Sequence, residues 1–145
     1  MSANEAVLNA VPTSVSLAIP SKAQIVTGRV LGAVAVLFLV MDGVMKLIRP
    51  ESVLKASAPL GFTGGMLLGI GIVLLLCTVL YVVPRTSVLG AALLTAYLGG
   101  AVSIMVRFSM PVFNMVFPIL FAVVLWISLW LRTPQLRRVF PIIAG

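Results

Sequence analysis

The stretch VMDGVMKLIRP places one carboxylate and two cations at the end of a segment otherwise made for lipid. Asp42 and Lys46 stand four residues apart, and Arg49 follows three later. On a helix this spacing puts all three on one stripe, with the ammonium one turn beyond the carboxylate. The first chemistry it supports is an ion pair. The second is a polar site for a proton, a small ligand or a quinone head group, because ionisable groups within a membrane mark pathways and sites.

An ionised carboxylate near the bilayer centre costs ~2.5–3.5 kcal/mol even on insertion scales. Counted back from Arg49, Asp42 lies ~10 Å along a helix at 1.5 Å per residue, inside the hydrocarbon but off centre. Lys46 reaches outward along its stem while still pairing. Arg107 joins this cluster if its helix neighbours the one bearing Asp42, and Tyr97, Thr95 and Ser103 offer hydroxyls. Two readings stand side by side: an ion pair that pins one end of a helix bundle, and a ligand site. The pin is the simpler and is preferred.

Other chemistry is poorly supplied. The chain has no histidine, which removes haem through a His ligand and the common zinc sites. Cys77 is alone, so no intrachain disulfide forms, and one intramembrane carboxylate is too little for a di-metal site. Met105, Met110 and Met115 lie near the mouth of the Asp42 cluster and read as gap-fillers. No metal is expected.

Four apolar segments must position these groups: about 25–48, 65–83, 87–106 and 112–131. Each is near the ~20 residues that span ~30 Å of hydrocarbon as helix. Hydrophobic residues make up 61% of the 145-residue chain and charged residues 9%, so a water-soluble core is excluded by composition. The turn VPRT (83–86) permits only an antiparallel hairpin, and RFSMP (107–111) makes a second tight turn. Between the first two spans, RPESVLKASAPLGFTG predicts a short interfacial helix from Glu51 to Ala56, started by Pro50 and stopped by Pro59 and Gly61. Residues 1–21 show neither a positive start nor an unbroken apolar run and are expected to form a poorly ordered tail, ahead of a single domain at 22–141.

Small residues recur at helical spacing. Gly28, Gly32, Ala35 and Leu39 lead into Asp42; Gly65 and Gly69 share a face of the second span; Gly99 and Ser103 share one of the third. Such spacing lets helices approach closely in lipid, where packing drives association. These are expected to be packing faces, with dimerisation through one of them as the alternative reading.

The net charge of +7 comes from basic residues set singly at the ends of apolar runs, without the aromatic-interleaved patch of a nucleic-acid surface. Lys22, Arg29, Arg85, Arg132, Arg137 and Arg138 fall on one side of the membrane, and Lys46, Arg49, Lys55 and Arg107 on the other. Six against four predicts both termini in the cytoplasm. Trp126 and Trp130 suit an aromatic belt on that side.

TGRVLGAVAVLFLVMDGVMKLIRP, the loop LGF, GIGIVLLLCTVLYVVPRTSVLGAALLTAYLGGAV and the VR at 106–107 together resemble the DoxX-like family of small bacterial membrane proteins. The resemblance implies four membrane helices in a bacterial inner membrane. It makes Asp42, Lys46, Tyr97 and Arg107 the family-pattern residues. Founding members resemble a small subunit of a thiosulfate:quinone oxidoreductase, and broader relatives include accessory proteins for disulfide and cofactor maturation. Relatives often carry histidines where this chain has Met105, Asn114 and Met115, so roles resting on those histidines do not carry over.

The sequence thus predicts an all-α fold, an integral membrane four-helix antiparallel bundle with both termini on the same side. Its expected role is a small structural or accessory subunit of a membrane assembly, as a homo-oligomer or with other subunits, without chemistry of its own. The alternatives are a redox accessory subunit binding quinone near Asp42, Lys46 and Arg107, and a small-solute carrier, for which no inverted repeat is visible.

Overall fold

The computed structural model describes residues 21–134 and 136; the segment 1–20 of the expected tail and the end of the expected domain at 137–141 lie outside them. Among the described residues the fold is all-helical: α1 (Lys22–Ile48), α2 (Glu51–Ser57), a 3₁₀ turn (Ala58–Leu60), α3 (Gly64–Val82), α4 (Ser87–Arg107) and α5 (Val112–Arg132). α1, α3, α4 and α5 are long and apolar enough to cross a membrane. The protein is a multi-pass membrane bundle.

Local chemistry sets the helix ends. α1 begins three residues before Ile25 because Ser21 and Gln24 form a capping box. The Ser21 hydroxyl accepts from the Gln24 N–H at 3.2 Å, and the Ser21 N–H donates to Gln24 Oε1 at 3.1 Å. α1 stops at Arg49, whose backbone turns left-handed (φ 54°) ahead of Pro50. Thr63 caps α3, its hydroxyl accepting from the Met66 N–H at 3.4 Å. In the α3–α4 turn, Thr86 Oγ1 donates to the Leu80 carbonyl at 2.8 Å. Gly90 lets α4 start against α3, since a Cβ there would lie 2.2 Å from the Tyr81 backbone nitrogen.

α1 packs on α3 and α5, and α4 packs on the same two, so α1 and α4 lie across the bundle from each other. Leu39, Leu74, Tyr81, Leu94, Leu125 and Leu129 fill the centre, each at most 2% exposed. Phe38 of α1 stacks on Phe121 of α5 at 4.6 Å between centroids, with Phe117 edge-on at 5.3 Å. Valine, leucine and isoleucine side chains such as Val34, Leu37, Leu76, Val79 and Ile119 point outward, as a bilayer-embedded surface requires.

The small-residue faces divide. On α1 the inward stripe is Gly28, Gly32, Ala35, Leu39 and Gly43, all buried. A Cβ on Gly28 would lie 2.9 Å from the Leu131 Cβ, and one on Gly32 2.5 Å from Ser128 Oγ. Gly65, Gly69 and Gly99 do not pack within the bundle: a Cβ on any of them would have nothing within 4 Å. Ser103 is likewise exposed, its hydroxyl bonded back to the Gly99 carbonyl at 3.0 Å. The reason is rotational. The contact faces of α3 and α4 are set by Gly71, which meets Gly43 and Lys46 of α1, and by Gly90 at the hairpin, turning the other glycines outward.

Candidate functional site

Asp42 and Lys46 form the ion pair their spacing predicts, Lys46 Nζ donating to Asp42 Oδ2. Both are part-buried, Asp42 the more open at 39% exposure against 21% for Lys46. The pair sits on the flank of α1, because the inward position at this level is Gly43. The Lys46 stem is held against α3, where a Cβ on Gly71 would come within 3.0 Å of its own Cβ. Paired charges in this order along a helix also suit the helix dipole, the carboxylate nearer the N-terminus.

Arg107 does not join the pair. It ends α4, which lies across the bundle from α1, and it is exposed; among the described residues its guanidinium has no ion pair. Tyr97 of the same helix is half-buried, packed against the bundle core. The other expected hydroxyls are committed elsewhere. Thr95 Oγ1 donates to the Ala91 carbonyl at 2.8 Å and accepts from Trp126 Nε1 at 2.9 Å, and Ser103 is satisfied by its own helix. The Asp42 end is therefore an intrahelical ion pair. Among the described residues no group of three or more Cys, Asp or Glu side chains is placed to hold a metal ion.

A second polar centre lies at the other end of the bundle. The buried Ser128 hydroxyl donates to the Gly28 carbonyl at 2.7 Å. The Tyr81 hydroxyl sits 3.1 Å from both Ser128 Oγ and the Leu125 carbonyl, sharing its proton between them. This network ties α1, α3 and α5 together across the core. Arg132, the last residue of α5, lays its guanidinium over the Tyr81 ring at 4.9 Å. Sequence reasoning missed this centre. Its signal was a lone serine in an apolar run, one helix turn before Arg132 at the end of its span. Trp126, expected in an aromatic belt, turns its indole nitrogen to Thr95 of α4.

Two of the grooves on the described part of the bundle run along its long helices. One, of about 540 Å³, runs along α4 and α5 between Thr95, Ile119, Trp126 and Trp130 and is almost wholly apolar. The other, of about 420 Å³, lies along α1 from Arg29 to Val40, closed by Tyr81, Val82 and Arg132.

Among curated proteins and solved structures no significant match is found. The model of the DoxX-like family matches residues 30–128, from the first third of α1 to within a turn of the end of α5. That span holds Asp42, Lys46, Tyr97 and Arg107, the core residues from Ala35 to Leu125, and the serine of the Tyr81 network. With four membrane-spanning helices behind it, the chain belongs to the DoxX-like family.

Proposed function

We propose that this protein is a small helical subunit that docks against other membrane-embedded helices in a larger assembly, a second copy of the chain included, and carries no chemistry of its own. The observation that supports this reading is the outward small-residue strip of α4. Ala92, Ala96, Gly99, Gly100 and Ser103 are all exposed, over about 16 Å of helix at 1.5 Å per residue. Gly65 and Gly69 present a second such face in the same half of α3. A lipid-facing surface gains little from glycine and alanine, whereas a docking helix gains close backbone approach. The setting that goes with this reading is a bacterial inner membrane, with the α1 start and the α5 end on the cytoplasmic side, where basic residues are in excess.

The test is site-directed cross-linking in native membranes, with Cys77→Ala as background. Ser103→Cys is expected to give a cross-linked product with a short bis-maleimide, and Val123→Cys, on the outer face of α5, is not. The reading fails if Ser103→Cys gives no product and the protein extracted in mild detergent is a monomer with nothing bound.

A second reading places a quinone or other small ligand at the Asp42 end, favoured by a part-buried carboxylate within a membrane-spanning helix. Asp42→Asn is then expected to insert normally and lose quinone binding. Unchanged binding in that variant removes this reading.

A further inference from the structure

The groove along α1 has two arginines at one end and an apolar wall along the rest. Arg29 stands on α1 and Arg132 ends α5; Val36, Leu37, Val40 and Val82 make the wall. Gly32 and Ala33 keep its floor low. The two arginines differ in setting. Arg29 is exposed, while Nε and Nη2 of Arg132 are buried and, among the described residues, have no hydrogen-bond partner. The contact of Arg132 with Tyr81 uses the flat face of the guanidinium and leaves its N–H edge unsatisfied. A buried cationic donor without an acceptor is costly, which marks this edge as a place for an anion.

The dimensions narrow the choice of anion. From Arg29 to Val40 is eleven residues of helix, about 16 Å, close to half the ~30 Å hydrocarbon core. From Arg29 to Arg49 is about 30 Å, so Arg29 stands at one water boundary and Arg49 at the other. The groove therefore begins at the headgroup level and ends near the midplane, the depth of one leaflet. Charge points the same way. Lys22, Arg29, Arg85 and Arg132 share this end with no acidic residue among the described ones, whereas Asp42 and Glu51 pair with Lys46 and Lys55 at the other.

We infer that this groove binds one anionic phospholipid, its phosphate between Arg29 and Arg132 and one acyl chain along Val36, Leu37 and Val40. Guanidinium groups suit a phosphate because their N–H pairs match two of its oxygens. Basic pockets between membrane helices are known places for such headgroups. The site uses α1, α3 and α5 and is separate from the small-residue strip of α4, so it stands whether or not the chain docks on other helices.

The experiment counts lipid adducts by native mass spectrometry of the full chain in dodecyl maltoside, titrated with phosphatidylglycerol or with phosphatidylcholine. The unmodified protein is expected to bind one phosphatidylglycerol far more tightly than phosphatidylcholine. Arg29→Gln and Arg132→Gln are each expected to weaken phosphatidylglycerol binding at least about tenfold, the loss of one charged hydrogen bond. Arg85→Gln, which removes the same charge from the exposed turn, is expected to change nothing. The inference is overturned if the three variants weaken binding equally, if the two lipids bind alike, or if millimolar inorganic phosphate displaces the lipid, which would make this a free-anion site. Should Arg132→Gln fail to fold, Arg29→Gln decides, since that side chain is exposed.

Discussion

Gly32 and Ser128 are expected to be energetically coupled, and the structure fixes the sign. A Cβ on Gly32 would stand 2.5 Å from Ser128 Oγ, but 3.6 Å from both the Ser128 Cβ and the Tyr81 hydroxyl. The clash is thus with one oxygen. Gly32→Ala alone either pushes the helices apart, at the ~1–3 kcal/mol typical of overpacking, or swings that oxygen away. Swinging it breaks its bonds to Gly28 and Tyr81, whose loss in a membrane protein costs roughly 0.6–1.7 kcal/mol. Ser128→Ala alone loses the same bonds while the Tyr81 hydroxyl keeps the Leu125 carbonyl. In the double variant the offending oxygen is gone and the new methyl meets only ordinary contacts. Its destabilisation is expected to equal that of Ser128→Ala alone, leaving a coupling of about 1 kcal/mol or more between the sites. The assay is a double-mutant cycle on reversible unfolding in mixed micelles, followed by far-UV circular dichroism. Costs that add within about 0.5 kcal/mol refute the geometry.

Three further outcomes are expected in the same assay or close to it. Gly90→Ala places a Cβ 2.2 Å from a backbone nitrogen of α3, which cannot give way, so it is expected to cost ~3 kcal/mol or to abolish folding; Gly65→Ala, open on all sides, is expected to stay within about 0.5 kcal/mol. Asp42→Ala leaves the Lys46 ammonium unpaired in hydrocarbon, so Asp42→Ala/Lys46→Met is expected to be more stable than Asp42→Ala alone; the reverse order would show that the pair contributes little. Ser21→Ala removes the capping box and is expected to cost about 1 kcal/mol locally, read as faster amide hydrogen exchange over the first turn of α1 with the rest of the bundle unchanged.

Much of this architecture is legible in the residues. The four spans, their antiparallel order, the short helix after Pro50 and the Asp42–Lys46 pair follow from hydropathy, turn chemistry and helical spacing, all of which act between near neighbours in the chain. The capping box at Ser21 was equally local, since Ser21 and Gln24 carry the whole signature. The inward stripe of α1 was readable because its small residues form one unbroken row. On α3 and α4 small residues occupy more than one face, and spacing alone does not say which face meets a neighbour. Gly71 and Gly90 took the contacts, and Gly65, Gly69, Gly99 and Ser103 were turned outward.

Composition and spacing settle that the chain lives in a bilayer, where its four apolar spans lie, and which charge answers Asp42, because a buried carboxylate needs a partner and the nearest lies one turn away. Tertiary structure alone decided the ring order of the helices, which sets α1 across from α4 and keeps Arg107 away from Asp42. It also brought Gly28, Tyr81, Ser128 and Arg132 together from three helices. Those contacts join residues about fifty to a hundred positions apart. In lipid, where no hydrophobic force dictates which helices meet, only the fit of their surfaces chooses.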